Sequence, residues 1–255
     1  MRHCFTLCTA GALAVLALSC SAAQAAVVNV QFGLGQDIKN TNYGGISPAY
    51  VGTGPAADTG TTWNMVAGGD SGVNWGTSFV ASSLKTSTGV STGVSINNNS
   101  YYQAHYFIKP GFGVGTNGIN DDSYDNLTRS FMGNLTSLTI SGLEANTPYD
   151  LYVVMAGNHD VYENPGRNGT ATVGDVTLST TGSPDARTSL LEGRDYVLFH
   201  PASTETGQIT LELSPNSQYS MINAIQIVTV PEPATLGMLV GGVALLLNRR
   251  RRSVR

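Results

Sequence analysis

Between residues 26 and 229 apolar and polar residues alternate in short runs, and the period is two. In Val27–Phe32 (VVNVQF), Val28, Val30 and Phe32 fall on one face and Asn29 and Gln31 on the other, the signature of a half-buried strand. Gln208–Leu213 (QITLEL) repeats it, with Ile209, Leu211 and Leu213 inward and Thr210 and Glu212 outward. Tyr149–Met155 (YDLYVVM) and Asn223–Val228 (NAIQIV) are more continuously apolar, as expected of central strands in a two-layer core. Thr170–Ser179 (TATVGDVTLS) predicts two short strands around Gly174-Asp175, where glycine accepts the positive φ of a tight hairpin. No window of about twelve residues in this region carries a convincing helical stripe. The intervening stretches are rich in Gly, Asn, Ser, Thr and Asp, and the tandem STGV within Thr86–Val94 is too short to mark a solenoid. Many short strands with Gly-rich turns predict an all-β fold, an antiparallel β-sandwich or jelly roll.

The ends read differently. Arg2 and His3 precede an apolar run from Ala10 to Leu18, and Ala23-Gln24-Ala25 gives the small-x-small pattern read by signal peptidase, so residues 1–25 are expected to be a signal peptide cut between Ala25 and Ala26. Cleavage before Cys20, which would make a lipoprotein, ranks second because the usual leucine three residues earlier is missing. All three cysteines (Cys4, Cys8, Cys20) lie in this segment, so the exported body is expected to hold neither disulfides nor thiol chemistry. At the other end, Val230–Arg252 (VPEPATLGMLVGGVALLLNRRRR) joins a proline-flanked glutamate, an apolar run from Leu236 to Leu247 and four arginines. That run is shorter than the roughly 20 residues a permanent membrane helix requires.

Charge separates the regions further. Between residues 26 and 230 there are seven basic and sixteen acidic residues, a net −9, while five of the thirteen basic residues lie between Arg249 and Arg255. An acidic body argues against nucleic acid as a partner. A terminal arginine cluster is a topology signal that stays on the cytoplasmic side.

The ending resembles the PEP-CTERM protein-sorting signal, a tail also called the ice-binding protein C-terminal domain, a label that says nothing of whether the body binds ice. The resemblance implies a Gram-negative producer of extracellular polysaccharide. It also implies a partner, an exosortase-type membrane protease-transpeptidase that cuts near the motif. Pro231, Glu232 and Pro233 would be the recognition element, Leu236–Leu247 a short hydrophobic helix inserted transiently in the membrane, and Arg249, Arg250, Arg251 and Arg252 the cytoplasmic stop. The expected organisation is therefore signal peptide 1–25, sandwich 26–229 and sorting signal 230–255. The body also resembles galactose-binding-like domains, through NVQFG at 29–33, TTWN at 61–64, TISGLEANTPYDLYVVMAGN at 139–158 and INAIQI at 222–227. These similarities speak to fold more than to function.

Candidate chemistry in the body is sparse. GGDSG (Gly68–Gly72) resembles loops that hold the nucleophile of serine hydrolases, but Ser71 has no histidine before it except His3, and Val197 stands where a GDS-type esterase has the aspartate preceding its histidine, here His200. Asp121, Asp122 and Asp125 are the one candidate set for a structural calcium, and no other cofactor is expected. His105, His159 and His200 lack metal-site spacing. Asp160 and Glu163, in the polar stretch HDVYEN, are separated carboxylates of the kind glycosidases use. Trp63, Trp75, Tyr101, Tyr102 and Tyr106 are aromatics that either stack on sugar rings or fill the core. Leu143 and Tyr149 have the spacing of a tyrosine corner, which assigns Tyr149 a structural role. The expectation is an exported, non-enzymatic cell-surface or matrix protein with weak affinity for extracellular polysaccharide; the alternative is a secreted polysaccharide hydrolase.

Overall fold

The computed structural model describes residues 26–34, 50–56, 60–68, 75–106, 127–128, 130–156, 168–182, 189–215 and 221–230. These belong to one compact unit, Ala26–Val230. The fold is all-β with almost no helix. Its strands in chain order are β1 (Val27–Leu34), β2 (Asn64–Gly68), β3 (Trp75–Gly76), β4 (Phe79–Ala81), β5 (Ser95–Asn98), β6 (Tyr102–Tyr106), β7 (Ser130–Gly133) and β8 (Ser137–Ser141). After these come β9 (Tyr149–Val154), β10 (Gly169–Val173), β11 (Val176–Ser179), β12 (Tyr196–Phe199), β13 (Ile209–Pro215), β14 (Met221–Ile222) and β15 (Ala224–Thr229). They form a five-stranded sheet, β12-β9-β15-β1-β2, a six-stranded sheet, β11-β10-β13-β8-β5-β4, and a four-stranded sheet, β14-β7-β6-β3.

One apolar core joins the two larger sheets, as the alternation requires. Val28, Val30 and Phe32 of β1, Leu151 and Val153 of β9, and Ile225 and Ile227 of β15 pack with Leu138 and Ile140 of β8 and Ile209, Leu211 and Leu213 of β13. Thr210 and Glu212 face solvent. The two continuously apolar runs, β9 and β15, are central strands. The predicted hairpin is β10–β11, with Gly174 at φ 57°. Among the described strands every ladder is antiparallel except one: β1 runs parallel to β2, with Val30 opposite Asn64. The chain between them crosses over instead of turning back as a hairpin, which period-two patterning cannot reveal.

The larger departure from the sequence reading lies on the second face of β1. Asn29 and Gln31, expected to be solvated, are both fully buried. Their amides meet backbone and each other's neighbours: Gln31 Oε1 accepts from Tyr50 N–H at 2.8 Å, and Asn29 Nδ2 donates to Thr62 O at 3.1 Å. Gln226 of β15, also fully buried, donates from Nε2 to Asn29 Oδ1 at 2.7 Å and accepts at Oε1 from Ala56 N–H at 2.8 Å. Gly54 lies directly on the Gln226 amide, where a Cβ would collide with it. The segments 50–56 and 60–63 thus lie over β1 and β15 on this sheet's outer face. Tyr50, Trp63, Leu127, Val154, Ala156 and Ala224 form a second apolar cluster beneath them.

Asn223 does similar work where the chain steps from β14 to β15. Its Nδ2 donates to Thr128 O at 2.8 Å and Ser130 O at 3.0 Å, and its Oδ1 accepts from Ala156 N–H at 2.8 Å. Tyr149, where the chain passes from the six-stranded to the five-stranded sheet, is the predicted corner: its hydroxyl accepts from Glu144 N–H at 3.0 Å. Ser203 closes the same turn, donating to Glu144 O and accepting from Thr147 N–H.

A buried group left without its partner costs about 1–3 kcal/mol. Gln226→Leu strands the Ala56 N–H and the Asn29 amide together, so it lowers stability by about 3 kcal/mol. Tyr149→Phe, which removes one bond from a partly buried N–H, costs about 1 kcal/mol. Urea unfolding of both variants checks the order; a Gln226→Leu midpoint equal to wild type would show that the amide network carries little of the stability.

Candidate functional site

Most of the side chains singled out in the sequence lie outside the described residues: Ala25, Ser71, Asp121, Asp122, Asp125, His159, Asp160, Glu163, Pro231, Glu232, Pro233 and Arg249–Arg252. The segments expected to form a signal peptide (1–25) and a short hydrophobic helix (236–247) lie outside them too, as do the side chains of Trp75, His105 and Tyr106. Among the described residues no three potential ligands come together as a metal site.

The aromatics that are described divide between core and surface. Trp63 is buried, donates from Nε1 to Gly52 O at 2.8 Å, and meets Tyr50 edge to face at 5.1 Å. Tyr102 is buried against Phe79, with ring centroids 5.4 Å apart and Gly76 close upon it. Neither offers a face to a ligand. Tyr101 is exposed, and its hydroxyl accepts from Gln103 Nε2 at 3.0 Å. Val197, at the position a hydrolase aspartate would take, points into the core, while His200 faces outward.

The surface of interest arises from Asp150 and Tyr152, which the periodicity had placed within a central strand, and from β12, which it had not identified. On the outer face of the five-stranded sheet, register places Leu198 of β12 opposite Tyr152 of β9, and Tyr196 opposite Val154. The Tyr152 and Tyr196 rings are diagonal neighbours, with centroids 5.9 Å apart and planes at 44°. Both are half-buried, and neither hydroxyl has a hydrogen-bond partner among the described residues. Immediately past β12, His200 Nδ1 lies 2.7 Å from Asp150 Oδ1 on β9. The histidine is 71% and the aspartate 29% exposed, so the pair borders water and adds little to stability. Glu192 is exposed near the tyrosines.

A tight turn ahead of β12 fixes Tyr196. Asp195 is fully buried, and its Oδ2 accepts from Leu191 N–H at 2.9 Å and Arg194 Nε at 2.7 Å. Arg194 reaches back to Ser189 O at 2.8 Å. The Asp195 carbonyl accepts from Met155 N–H at 2.9 Å, tying the turn to the end of β9. Gly193 supplies the positive φ, 75°, that closes it. Asp195 Oδ1 has no donor among the described residues.

Burial raises the Tyr152 hydroxyl above the ordinary tyrosine value, with the charges of Asp150, Tyr196 and Glu192 adding to it. Burial, then Glu192, raises Tyr196 in the same direction. Both phenols therefore stay neutral and able to donate across the physiological range.

Comparison with known proteins adds no identity. No family model matches the chain, and no curated protein matches it. Among solved structures, a β-glucuronidase from Bacteroides uniformis aligns over 52% of this chain and 15% of its own length, with 11% sequence identity and a TM-score of 0.29. The aligned part is thus a small fraction of that enzyme, and a likeness this slight carries no functional argument.

A raised folded-state value means that folding binds the phenolic proton. Its contribution to stability is full below the unfolded tyrosine value of about 10 and is lost as pH rises through the folded value. Tyr152→Phe keeps the ring and removes the titration. Urea unfolding at about pH 9 and about pH 11 should show wild type losing more stability than the variant between the two. An equal loss would mean that the Tyr152 phenol does not sense the fold.

Proposed function

We propose that this chain is an exported, non-enzymatic surface or extracellular-matrix protein of a Gram-negative bacterium, handled by an exosortase-type system and holding extracellular polysaccharide weakly through its β body. The observation that carries the reading is the order of parts in one sequence. A charged start, apolar run and Ala23-Gln24-Ala25 stand at one end, and Pro231-Glu232-Pro233, a short apolar run and Arg249–Arg252 stand at the other.

Physical chemistry supports each part of the tail. Two prolines interrupt helix and favour an extended tripeptide that a protease can engage. An apolar run of twelve residues, with Gly237, Gly241 and Gly242 inside it, is long enough to hold a chain at the membrane for processing and short for a lasting anchor. Four arginines keep the end on the cytoplasmic side. The compact unit Ala26–Val230 lies between these two segments in sequence and is the part that would be delivered. Its assignment as a galactose-binding-like sandwich or jelly roll belongs to this proposal, supported by the two larger sheets sharing one core.

Intact mass and fractionation of the protein from its host test the reading, with wild type beside Glu232→Ala. Wild type should lose the mass that follows the Pro231-Glu232-Pro233 region and leave the membrane, while the variant keeps both. Wild type that retains Arg249–Arg255 and remains in the membrane would make the tail an anchor and end the exosortase proposal.

A further inference from the structure

The five-stranded sheet changes character between adjacent strands. On β15 and β1 its outer face is covered: Gln226 and Asn29 are fully buried beneath the segments that carry Ala56 and Thr62. One strand further out the cover reaches Val154 of β9, with Tyr196 of β12 packed against its cluster; Tyr152, Tyr196 and Leu198 are half-buried, and beyond them Asp150 and His200 reach water. A floor of aromatic and apolar groups thus meets a ledge of covering chain along one side and polar groups along another.

We infer that this face, centred on Tyr152 and Tyr196, is a binding platform for the pyranose rings of a neutral glycan. The inference rests on the polysaccharide-holding role proposed above and gives it a location. A pyranose is amphipathic in a specific way: its ring C–H groups make an apolar face, and its hydroxyls project around the rim. The platform is amphipathic to match. Two phenol rings present flat apolar area at low cost in side-chain entropy, and their hydroxyls, without partners among the described residues, both donate and accept. At the rim, the Asp150 and Glu192 carboxylates accept from sugar hydroxyls.

Charge selects the class of glycan. Asp150 and Glu192 both border the tyrosines, and the cation nearest in sequence, Arg194, is bound to Asp195 and Ser189. Among the described residues, uronates, sulfates and phosphates would meet the Asp150 and Glu192 carboxylates, with His200 already engaged by Asp150 and Arg194 by Asp195. A peptide would be expected at another place, adding along the backbone edge of β12, which is the outermost strand of the sheet. The tyrosine platform lies on the face, where side chains make the contact.

The test is a printed array of neutral and uronate-containing oligosaccharides probed with the full chain in detergent, as wild type, Tyr152→Ala, Tyr196→Ala and Val176→Ala. Val176 is exposed on β11, the edge strand of the other large sheet, and serves as the control. Wild type and Val176→Ala should bind neutral glycans, with uronates weak or silent, and each tyrosine variant should bind about tenfold more weakly. Unfolding midpoints are read first. Should a tyrosine variant lose its fold, Leu198→Arg obstructs the same face with both rings in place and should abolish binding. Neutral glycans held equally by wild type and the platform variants would overturn the location and leave the polysaccharide role standing. Preference for uronates would overturn the charge argument and with it this site. Silence of wild type across the array would overturn both.

Discussion

The carboxamide of Gln226 sets the terms for the rest of the molecule. A sheet face that carries Asn29, Gln31 and Gln226 would ordinarily be left in water, because burying an amide without partners costs more than the apolar area around it returns. Here the covering chain is polar in the complementary places. The Ala56 N–H meets Gln226 Oε1, the Tyr50 N–H meets Gln31 Oε1, and Asn29 meets both the Thr62 carbonyl and the Gln226 Nε2. Gly54 allows the backbone to lie flat on the amide, since any Cβ there would strike it. Each buried amide thus acts as a short extension of the sheet's own hydrogen-bonding edge, and a stretch without regular structure becomes part of the core.

The same network defines where the cover ends. Gln226 is opposite Tyr152 in register, so a buried amide on β15 adjoins a half-buried ring on β9, while the next outward pair, Ala224 and Val154, is covered on both strands. From there outward the described residues turn aromatic, apolar and charged: Tyr152, Asp150, Tyr196, Leu198 and His200. The turn built around Asp195 then matters for a reason beyond stability. By bonding Leu191, Arg194 and, through its carbonyl, Met155, it fixes the phase at which β12 begins, and so which of its residues face outward. A slip of one residue would send Tyr196 into the core and Val197 to the surface.

Inward faces were legible in the sequence because alternation is a local property. Val28, Val30 and Phe32, or Ile209, Leu211 and Leu213, need only the period of a strand to be assigned. Tyr149 was legible for the same reason, since its partner Glu144 is five residues away. Asn29 and Gln31 were not, because polarity marks a residue that needs a partner without saying whether that partner is water or Tyr50 and Thr62. The aromatics show the limit most clearly. Composition and position alone made Trp63 and Tyr102 look as available as Tyr101, yet the first two fill apolar clusters and only the third is exposed. Tyr152 went unnoticed inside the run Tyr149–Met155 that read as a central strand, and the strand carrying Tyr196 was not read from the sequence at all. The alternation of Asp150 with Tyr152, and of Tyr196 with Leu198 and His200, was visible, but their meeting depends on the register of β9 with β12, which only tertiary pairing supplies.

The two large sheets make opposite use of their outer faces, and this bears on where a partner would attach. On the six-stranded sheet, hydroxyls pair across strands, Thr170 with Ser179 at 2.8 Å and Thr172 with Thr177 at 2.9 Å, and Glu212 stands exposed beside them. Around these pairs the polar groups are satisfied by neighbours or solvent, while Val80 and Val176 stand exposed as single apolar side chains on β4 and β11. The outer face at β9 and β12 holds the reverse balance: half-buried rings, a nearby leucine, and hydroxyls that lack partners among the described residues. Binding free energy comes from apolar area that can still be buried and polar groups that can still be paired, and the two tyrosines combine both at one place. With an acidic body repelling anions over the longer range and the carboxylates of Asp150, bound to His200, and Glu192 at the rim, the proposed partner is neutral and rich in hydroxyls, held by modest contacts repeated along a polymer.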